Sequence, residues 1–95
     1  MFRKLLYPLR VNIALAAVNI PPTLINQEYR QGIQAMGWLA GAKPEEVAVS
    51  IVSQLPLAHQ TNISYEVIRL WIEDGKIDVT KPDVRVPLDN LGIYL

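Results

Sequence analysis

The sequence contains no cysteine and a single histidine among its 95 residues. Without cysteine the chain forms neither a disulfide nor a thiolate nucleophile, and this composition fits a cytoplasmic protein. A metal site needs several histidine, cysteine or carboxylate ligands that converge on one point. His59 stands alone in a polar stretch, so we interpret it as a solvated loop residue and predict no metal site.

The sequence also lacks a recognisable catalytic constellation. Gly32, Gly37 and Gly41 fall within or at the end of a predicted helix, so they do not form a phosphate-binding loop. The serines have no nearby general base other than His59, which argues against a hydrolase triad. The adjacent acids at 45–46 are explained by a helix start. We therefore predict a non-enzymatic protein without a cofactor or a small-molecule substrate.

Charge is scarce and unevenly distributed in what we predict to be one domain, residues 1–95. Charged residues make up 19% of the chain and hydrophobic residues 51%, so apolar side chains either fill the core or are covered by a partner. Residues 1–43 hold five basic residues and one acid (net +4), and residues 44–95 hold four and eight (net −4). This charge distribution is unlike that of proteins that bind nucleic acid strongly, which cluster their basic residues and have a high pI.

The first twenty residues carry an apolar run that is too short to span a bilayer, because Arg10, Asn12 and Asn19 interrupt it. We therefore expect this stretch to belong to the fold and predict no membrane association. Residues 9–20 fit either a strand or a helix. We favour a helix, with Pro8 in its first turn and an end at the two prolines that follow.

Two further helices are predicted in the middle of the chain. Asn26 is a suitable N-cap for the first, Gly41 a suitable end, and its apolar stripe is Tyr29, Ile33, Met36 and Ala40. Gly32 and Gly37 within this helix either weaken it or permit a close approach. The next helix begins at Pro44 and has an inner face made of Val47, Ala48, Ile51, Val52 and Leu55. Residues 57–62 are predicted to be a polar loop.

The last third of the chain has the clearest start and stop signals. Ser64 is a suitable N-cap and Gly75 a suitable C-terminal stop for a helix whose apolar stripe is Val67, Ile68, Trp71 and Ile72. A hairpin over residues 66–80 is the alternative, because Asp-Gly is a strong hairpin turn. We favour the helix.

Two short strands, 76–80 and 84–88, are predicted after this helix, joined by a turn at 81–83. The predicted fold class is therefore α+β, mainly helical, with three to four helices and a C-terminal β-hairpin in a winged-helix-like arrangement.

A helix, a small hairpin and an Arg-Val-Pro-Leu segment in this order resemble the excisionase and MerR-like winged helix-turn-helix family. The matching residues are Ser64, Val67, Trp71, Gly75, Lys76, Ile77, Arg85, Val86, Pro87, Leu88, Leu91 and Leu95. The resemblance implies double-stranded DNA as a partner. It implies that Tyr65, Glu66 and Arg69 on the helix contact bases. It also implies that Lys76, Lys81 and Arg85 on the wing contact phosphates.

Two functions are therefore predicted. The first is a non-enzymatic interaction or assembly subunit that associates with itself or with another protein. Its candidate interface aromatics are Tyr65, Tyr94 and Trp38. The alternative is an excisionase-like DNA-binding regulator. We rank assembly first, because Glu66 and Glu73 give the exposed side of the predicted recognition helix a net negative charge despite Arg69.

Overall fold

The computed structural model describes residues 2–95, with side chains described from Leu6 onward. Over this range the chain forms six helices and a 3₁₀ turn at Pro22–Leu24. The helices are α1 Phe2–Ala17, α2 Gln27–Leu39, α3 Pro44–Ser53, α4 Leu57–Gln60, α5 Tyr65–Glu73 and α6 Pro82–Asn90. None of them, within the described residues, is long and apolar enough to cross a membrane.

The predicted α+β class and its C-terminal β-hairpin are wrong, because residues 2–95 contain no strand. Residues 76–80 are irregular, and the predicted strand 84–88 lies inside α6. The segment Lys81-Pro82-Asp83 begins a helix: Lys81 is the N-cap, Pro82 is at the first position and Asp83 is in the first turn. Proline and an acid suit a helix start as well as a turn, so this local signal was ambiguous.

Helix α3 lies at the centre of the fold, and α1, α2 and α6 pack around it. A helix that is apolar on all sides belongs in the interior of a protein. Six of the eight buried residues of α3 are apolar; the eight are Pro44, Glu46, Val47, Ala48, Val49, Ile51, Val52 and Ser53. Val47, Ala48, Ile51 and Val52 of the predicted inner face are buried, whereas Leu55 lies beyond the end of the helix and is half-buried.

Four helices end in the same hydrogen-bonded motif, with a left-handed residue just beyond the helix. These residues are Asn19, Gly41, Gly75 and Gly92. After α1, the Asn19 N–H donates to the Ala16 carbonyl and the Ile20 N–H donates to the Leu15 carbonyl, each at 3.0 Å. This is the Schellman pattern, which satisfies carbonyls that a helix end leaves unpaired. The ends predicted at Gly41 and Gly75 are confirmed.

Helix α1 confirms the helical prediction for the N-terminal stretch but begins at Phe2, so Pro8 lies in its interior and not in its first turn. Its buried face contains Tyr7, Val11 and Leu15. The start of α5 is tied to the end of this helix, since the Ser64 N–H donates to the Val18 carbonyl at 3.0 Å. Ser64 occupies the predicted N-cap position, but its side chain makes no capping hydrogen bond.

Helix α2 has the predicted N-cap, because Asn26 Oδ1 accepts the Tyr29 N–H at 3.0 Å. The predicted apolar stripe, however, is not its buried face: Tyr29 and Met36 are exposed, and Arg30 and Gln34 are buried instead. Arg30 Nε donates to Gln34 Oε1 at 2.7 Å, so these two polar side chains satisfy each other. Burial lowers the pKa of Arg30.

The predicted loop 57–62 contains the short helix α4. Its last residue, Gln60, donates from Nε2 to the Leu55 carbonyl at 2.8 Å and to the Ser53 carbonyl at 3.3 Å. The amide thereby satisfies carbonyls at the C-terminal end of α3, which would otherwise lack partners.

Candidate interaction surface

The outer side of α1 is apolar although it faces away from the core. Leu6, Leu9 and Ile13 are 49%, 52% and 61% exposed, and their spacing of three and four residues places them on one face. We call these three residues the α1 outer stripe. Arg10 is exposed between them in sequence, and α1 contains no acidic residue. The stripe is therefore an apolar surface on a basic helix.

A groove lies between α1 and α2. Tyr7 and Pro8 form its α1 wall, and Trp38 and Leu39 lie on its α2 wall. Trp38 meets the Tyr7 ring edge-on, with centroids 5.3 Å apart and an angle of 65° between the ring planes. Leu39, on the α2 wall, is 85% exposed.

A second groove runs between α2, α3 and α6, where Ile33, Val47 and Val84 contribute apolar walls. The carboxylate of Glu46 lies at this groove but is only 4% exposed. It accepts the Lys43 N–H at 2.8 Å and the Asp78 N–H at 2.7 Å. Glu46 is therefore occupied as a structural acceptor that ties the segment after α5 to the start of α3.

Helix α5 presents an acidic outer face with one apolar residue at its centre. Glu66, Leu70 and Glu73 are exposed at spacings of four and three residues, and we call them the α5 acidic face. Arg69 is also exposed, but the two glutamates outnumber it, so this side of the helix has a net negative charge. Trp71, predicted to be a core residue, is buried on the opposite side.

The aromatic residues predicted to contact a partner lie on three separate elements. Trp38 lines the α1–α2 groove, Tyr65 is the first residue of α5, and Tyr94 follows α6. Tyr94 is largely exposed, and Trp38 and Tyr65 are each about one-third exposed. Of the three, Trp38 is the one that belongs to the apolar surface on α1 and α2.

The residues predicted to contact DNA are divided between two helices and the segment that joins them. Tyr65, Glu66 and Arg69 lie on α5, as the resemblance requires. The cations expected on a wing are Lys76, Lys81 and Arg85, and they lie after α5 and at the start of α6. Lys81 Nζ is 3.7 Å from the buried Glu46 carboxylate, so its charge is partly neutralised.

The residues of the α1 outer stripe were missed by the sequence-based prediction. The signal was present in the sequence, because Leu9 and Ile13 fall on a different helical face from Val11 and Leu15. In a strand, these four alternate residues would all lie on one face. In a helix they divide between two faces, and each apolar face needs its own partner surface. Treating residues 9–20 as a choice between strand and helix concealed this second face.

No known protein family, curated protein or solved structure matches this chain. Among residues 2–95, no group of three histidine, aspartate or glutamate side chains is placed to hold a metal ion.

The phenol of Tyr7 makes stability at high pH a test of the packing between α1 and α3. Its hydroxyl donates to the Ala42 carbonyl at 2.8 Å, and burial, together with the charges of Glu46 and Glu45, raises its pKa from 10.0 to about 12. Between these pH values the unfolded chain loses the proton and the folded chain keeps it. Stability is therefore expected to fall as pH rises through this range.

The Tyr7→Phe variant is the control for this pH dependence. At neutral pH it should be less stable by about 1 kcal/mol, because the Ala42 carbonyl loses its donor. Between pH 10 and 12, however, its stability should fall less steeply than that of the wild type. Urea unfolding at several pH values measures both slopes, and identical slopes would contradict the assignment.

Proposed function

We propose that this protein is a non-enzymatic, cytoplasmic assembly subunit that self-associates through the α1 outer stripe. The observation that supports this function is the exposure of Leu6, Leu9 and Ile13 on a helix whose opposite face is already in the core. Contiguous apolar surface on a small soluble protein is typical of an interaction site. The absence of cysteine supports a cytoplasmic setting.

Covering this surface supplies part of the free energy that association needs. Complete burial of a leucine or isoleucine side chain stabilises by about 1.5–3 kcal/mol relative to full exposure. Each residue of the stripe is already about half covered, so covering the remainder of all three contributes a few kcal/mol before ordering costs.

Light scattering of the wild type and of Leu9→Glu tests this proposal. The wild type should have a mass above the 10.7 kDa of one chain, and Leu9→Glu should have the mass of one chain, because a carboxylate cannot be buried in an apolar contact without a partner. Leu57→Glu is the matched control, since Leu57 is an exposed leucine on α4, away from the stripe. It should keep the wild-type mass.

Circular dichroism must show equal helix content in all three proteins, so that a change of mass reports the surface and not unfolding. A wild type that stays monomeric at every concentration, or a Leu9→Glu variant that keeps the wild-type mass, would overturn the proposal.

A random-sequence DNA duplex at low salt is the second arm of the same measurement. Even specific DNA-binding proteins bind such a duplex electrostatically and release it as salt rises. Salt-sensitive duplex binding by a wild-type monomer would favour the excisionase-like alternative, with Arg69 on α5 as the first residue to replace.

A further inference from the structure

We propose that the groove between α1 and α2 binds a small aromatic monocarboxylate, whose carboxylate lies at Gln34 and is matched in charge by Arg30. This inference goes beyond the proposed self-association and rests on different side chains. It is supported by a buried cation without an anion, a free amide donor and an aromatic wall in one place.

Arg30 is a buried cation without a carboxylate partner. The residue is 6% exposed, and burying a charge is costly unless an opposite charge accompanies it. Among the described residues, which include every acid of the sequence, none forms an ion pair with Arg30. The guanidinium has two neutral acceptors instead, Gln34 Oε1 at 2.7 Å from Nε and the Pro8 carbonyl at 3.4 Å from Nη2. Its positive charge is therefore unbalanced.

Gln34 places a hydrogen-bond donor next to this cation. Its Oε1 accepts from Arg30 Nε, because the reverse orientation of the amide would bring two donors together. The amide Nε2 is therefore directed elsewhere and donates to no described residue. It also keeps contact with solvent, since the one fully buried side-chain nitrogen or oxygen without a partner in the described residues is Oδ1 of Asn12. Gln34 lines the groove, so an acceptor that enters can reach an N–H group backed by a positive charge.

The groove has the size and the walls for a small aromatic acid. Its volume is about 290 Å³, at the lower end of the range of ligand pockets. Tyr7, Trp38 and Leu39 give it apolar walls, and Trp38 is 37% exposed. Aromatic rings pack favourably edge to face or offset, so a phenyl ring fits against the Trp38 indole. None of the seven lining residues is acidic, so no carboxylate repels an entering anion.

The charge of the ligand follows from the charges around the groove. One buried guanidinium balances one negative charge, whereas a phosphate monoester carries about −1.5 to −2 at pH 7. The lining residues supply no second cation. A carboxylate presents two acceptor oxygens, and one of them suffices for the NH₂ group of Gln34. A monocarboxylate is therefore the better match.

Titration with phenylacetate, followed by two-dimensional ¹H–¹⁵N NMR, tests the site directly. The side-chain amide of Gln34 and the indole N–H of Trp38 should shift together and give one dissociation constant, of about 1 mM or below for a ligand of this size. The indole N–H of Trp71, which does not line the groove, should not shift. Absence of these shifts, or an equal shift of Trp71, would overturn the inference.

Two further probes separate the charge from the ring. Phenylacetamide has the same shape without the charge and should bind at least about tenfold more weakly, because a charge-assisted contact becomes a neutral one. Acetate has the charge without the ring and should cause no shift at the same concentration. Equal affinity for phenylacetate and phenylacetamide would show that Arg30 plays no part in recognition.

Gln34→Glu supplies the missing anion from the chain itself. Its carboxylate takes the place of the amide beside Arg30 and forms a buried ion pair four residues apart on α2. Phenylacetate binding should be lost, because the donor and the unbalanced charge are both removed. The thermal midpoint should rise by at least about 4 °C, so unfolding cannot explain the loss. A variant that still binds phenylacetate, or that is less stable than the wild type, contradicts the proposal.

Gln31→Glu is the matched control, because Gln31 lines the same groove but is exposed. It adds the same charge in water, so it should not raise the thermal midpoint and should weaken phenylacetate binding by less than about threefold. A loss as complete as in Gln34→Glu would mean that any negative charge at the groove is enough, and the assigned role of Arg30 would be wrong.

Arg30→Met removes the cation and keeps an unbranched apolar side chain. It should raise the dissociation constant of phenylacetate by at least about tenfold and leave that of phenylacetamide within about twofold, because only the charged ligand depends on the cation. Circular dichroism must show unchanged helix content. Equal losses for the two ligands would assign Arg30 a purely structural role and would overturn the inference.

Discussion

Replacing Glu46 with glutamine is expected to lower the free energy of unfolding by about 2–4 kcal/mol. A buried carboxylate with two acceptor oxygens is then replaced by an amide, which has one acceptor oxygen and one donor NH₂ group. The two carboxylate oxygens accept the Lys43 N–H and the Asp78 N–H, and the residue is almost fully buried. In the variant, the amide NH₂ must face one of these N–H groups. One hydrogen bond is lost and two donors are brought together.

Glu45→Gln is the matched control for this experiment. Glu45 is in the same first turn of α3 but is partly exposed, so its loss should cost only about 0.5 kcal/mol of helix-dipole stabilisation. Chemical unfolding of both variants, followed by circular dichroism, measures the difference. Equal costs would show that the contact between Glu46 and residue 78 contributes nothing to stability.

Replacing Gly37 with alanine should destabilise the protein by about 2 kcal/mol, although alanine is the better helix former. A Cβ atom at this position would be 2.5 Å from Cγ2 of Val47 and 3.0 Å from the Tyr7 hydroxyl. Val47 is buried and short, and the Tyr7 hydroxyl is held by its hydrogen bond to Ala42. One of these groups must shift to admit the methyl group, and moving the Tyr7 hydroxyl breaks its hydrogen bond to Ala42.

Gly32→Ala in the same helix is expected to have the opposite effect. No described atom lies within 4 Å of a Cβ built at Gly32, so alanine should stabilise by about 0.5–1 kcal/mol through helix propensity alone. Thermal unfolding of the two variants side by side gives both signs. Two stabilised variants would mean that α2 does not approach α1 and α3 as closely at Gly37 as the structure indicates.

The sequence was most informative at helix ends, where a few neighbouring residues decide the conformation. Asn26 caps α2 as predicted, and Gly75 ends α5 with a left-handed conformation. Both predictions depend on local geometry that no distant part of the chain can easily change. The helix at 65–73 was correctly preferred over the hairpin for the same reason.

Elements whose position depends on the rest of the chain were not predictable in the same way. The apolar stripe on α2 predicted one buried face, but Arg30 and Gln34 are buried instead. Their burial is possible because Arg30 donates a hydrogen bond to Gln34. The residues Lys81-Pro82-Asp83 suit a turn or a helix start, and burial of Leu88 against the core favours the helix. Packing partners decide these cases, and local residue patterns do not identify them.

For the candidate surface, the sequence indicated the kind of residues involved but not their location. The uneven charge of the two halves and the apolar surplus both suggested a partner. Which leucines remain exposed depends on how α3 fills the space under α1, and this is a property of the complete fold. The predicted interface aromatics were accordingly Tyr65, Tyr94 and Trp38, and Leu9 was missed.

The central position of α3 also matters while the protein is being synthesised. Helix α3 is complete at Ser53, but α6, which covers one of its sides, is not complete until Asn90. A ribosome-bound chain therefore carries an apolar helix with an uncovered side during the addition of the intervening residues. Incompletely covered apolar surface makes a nascent chain prone to aggregate. Prompt addition of α6 therefore shortens the time for which this side of α3 is uncovered.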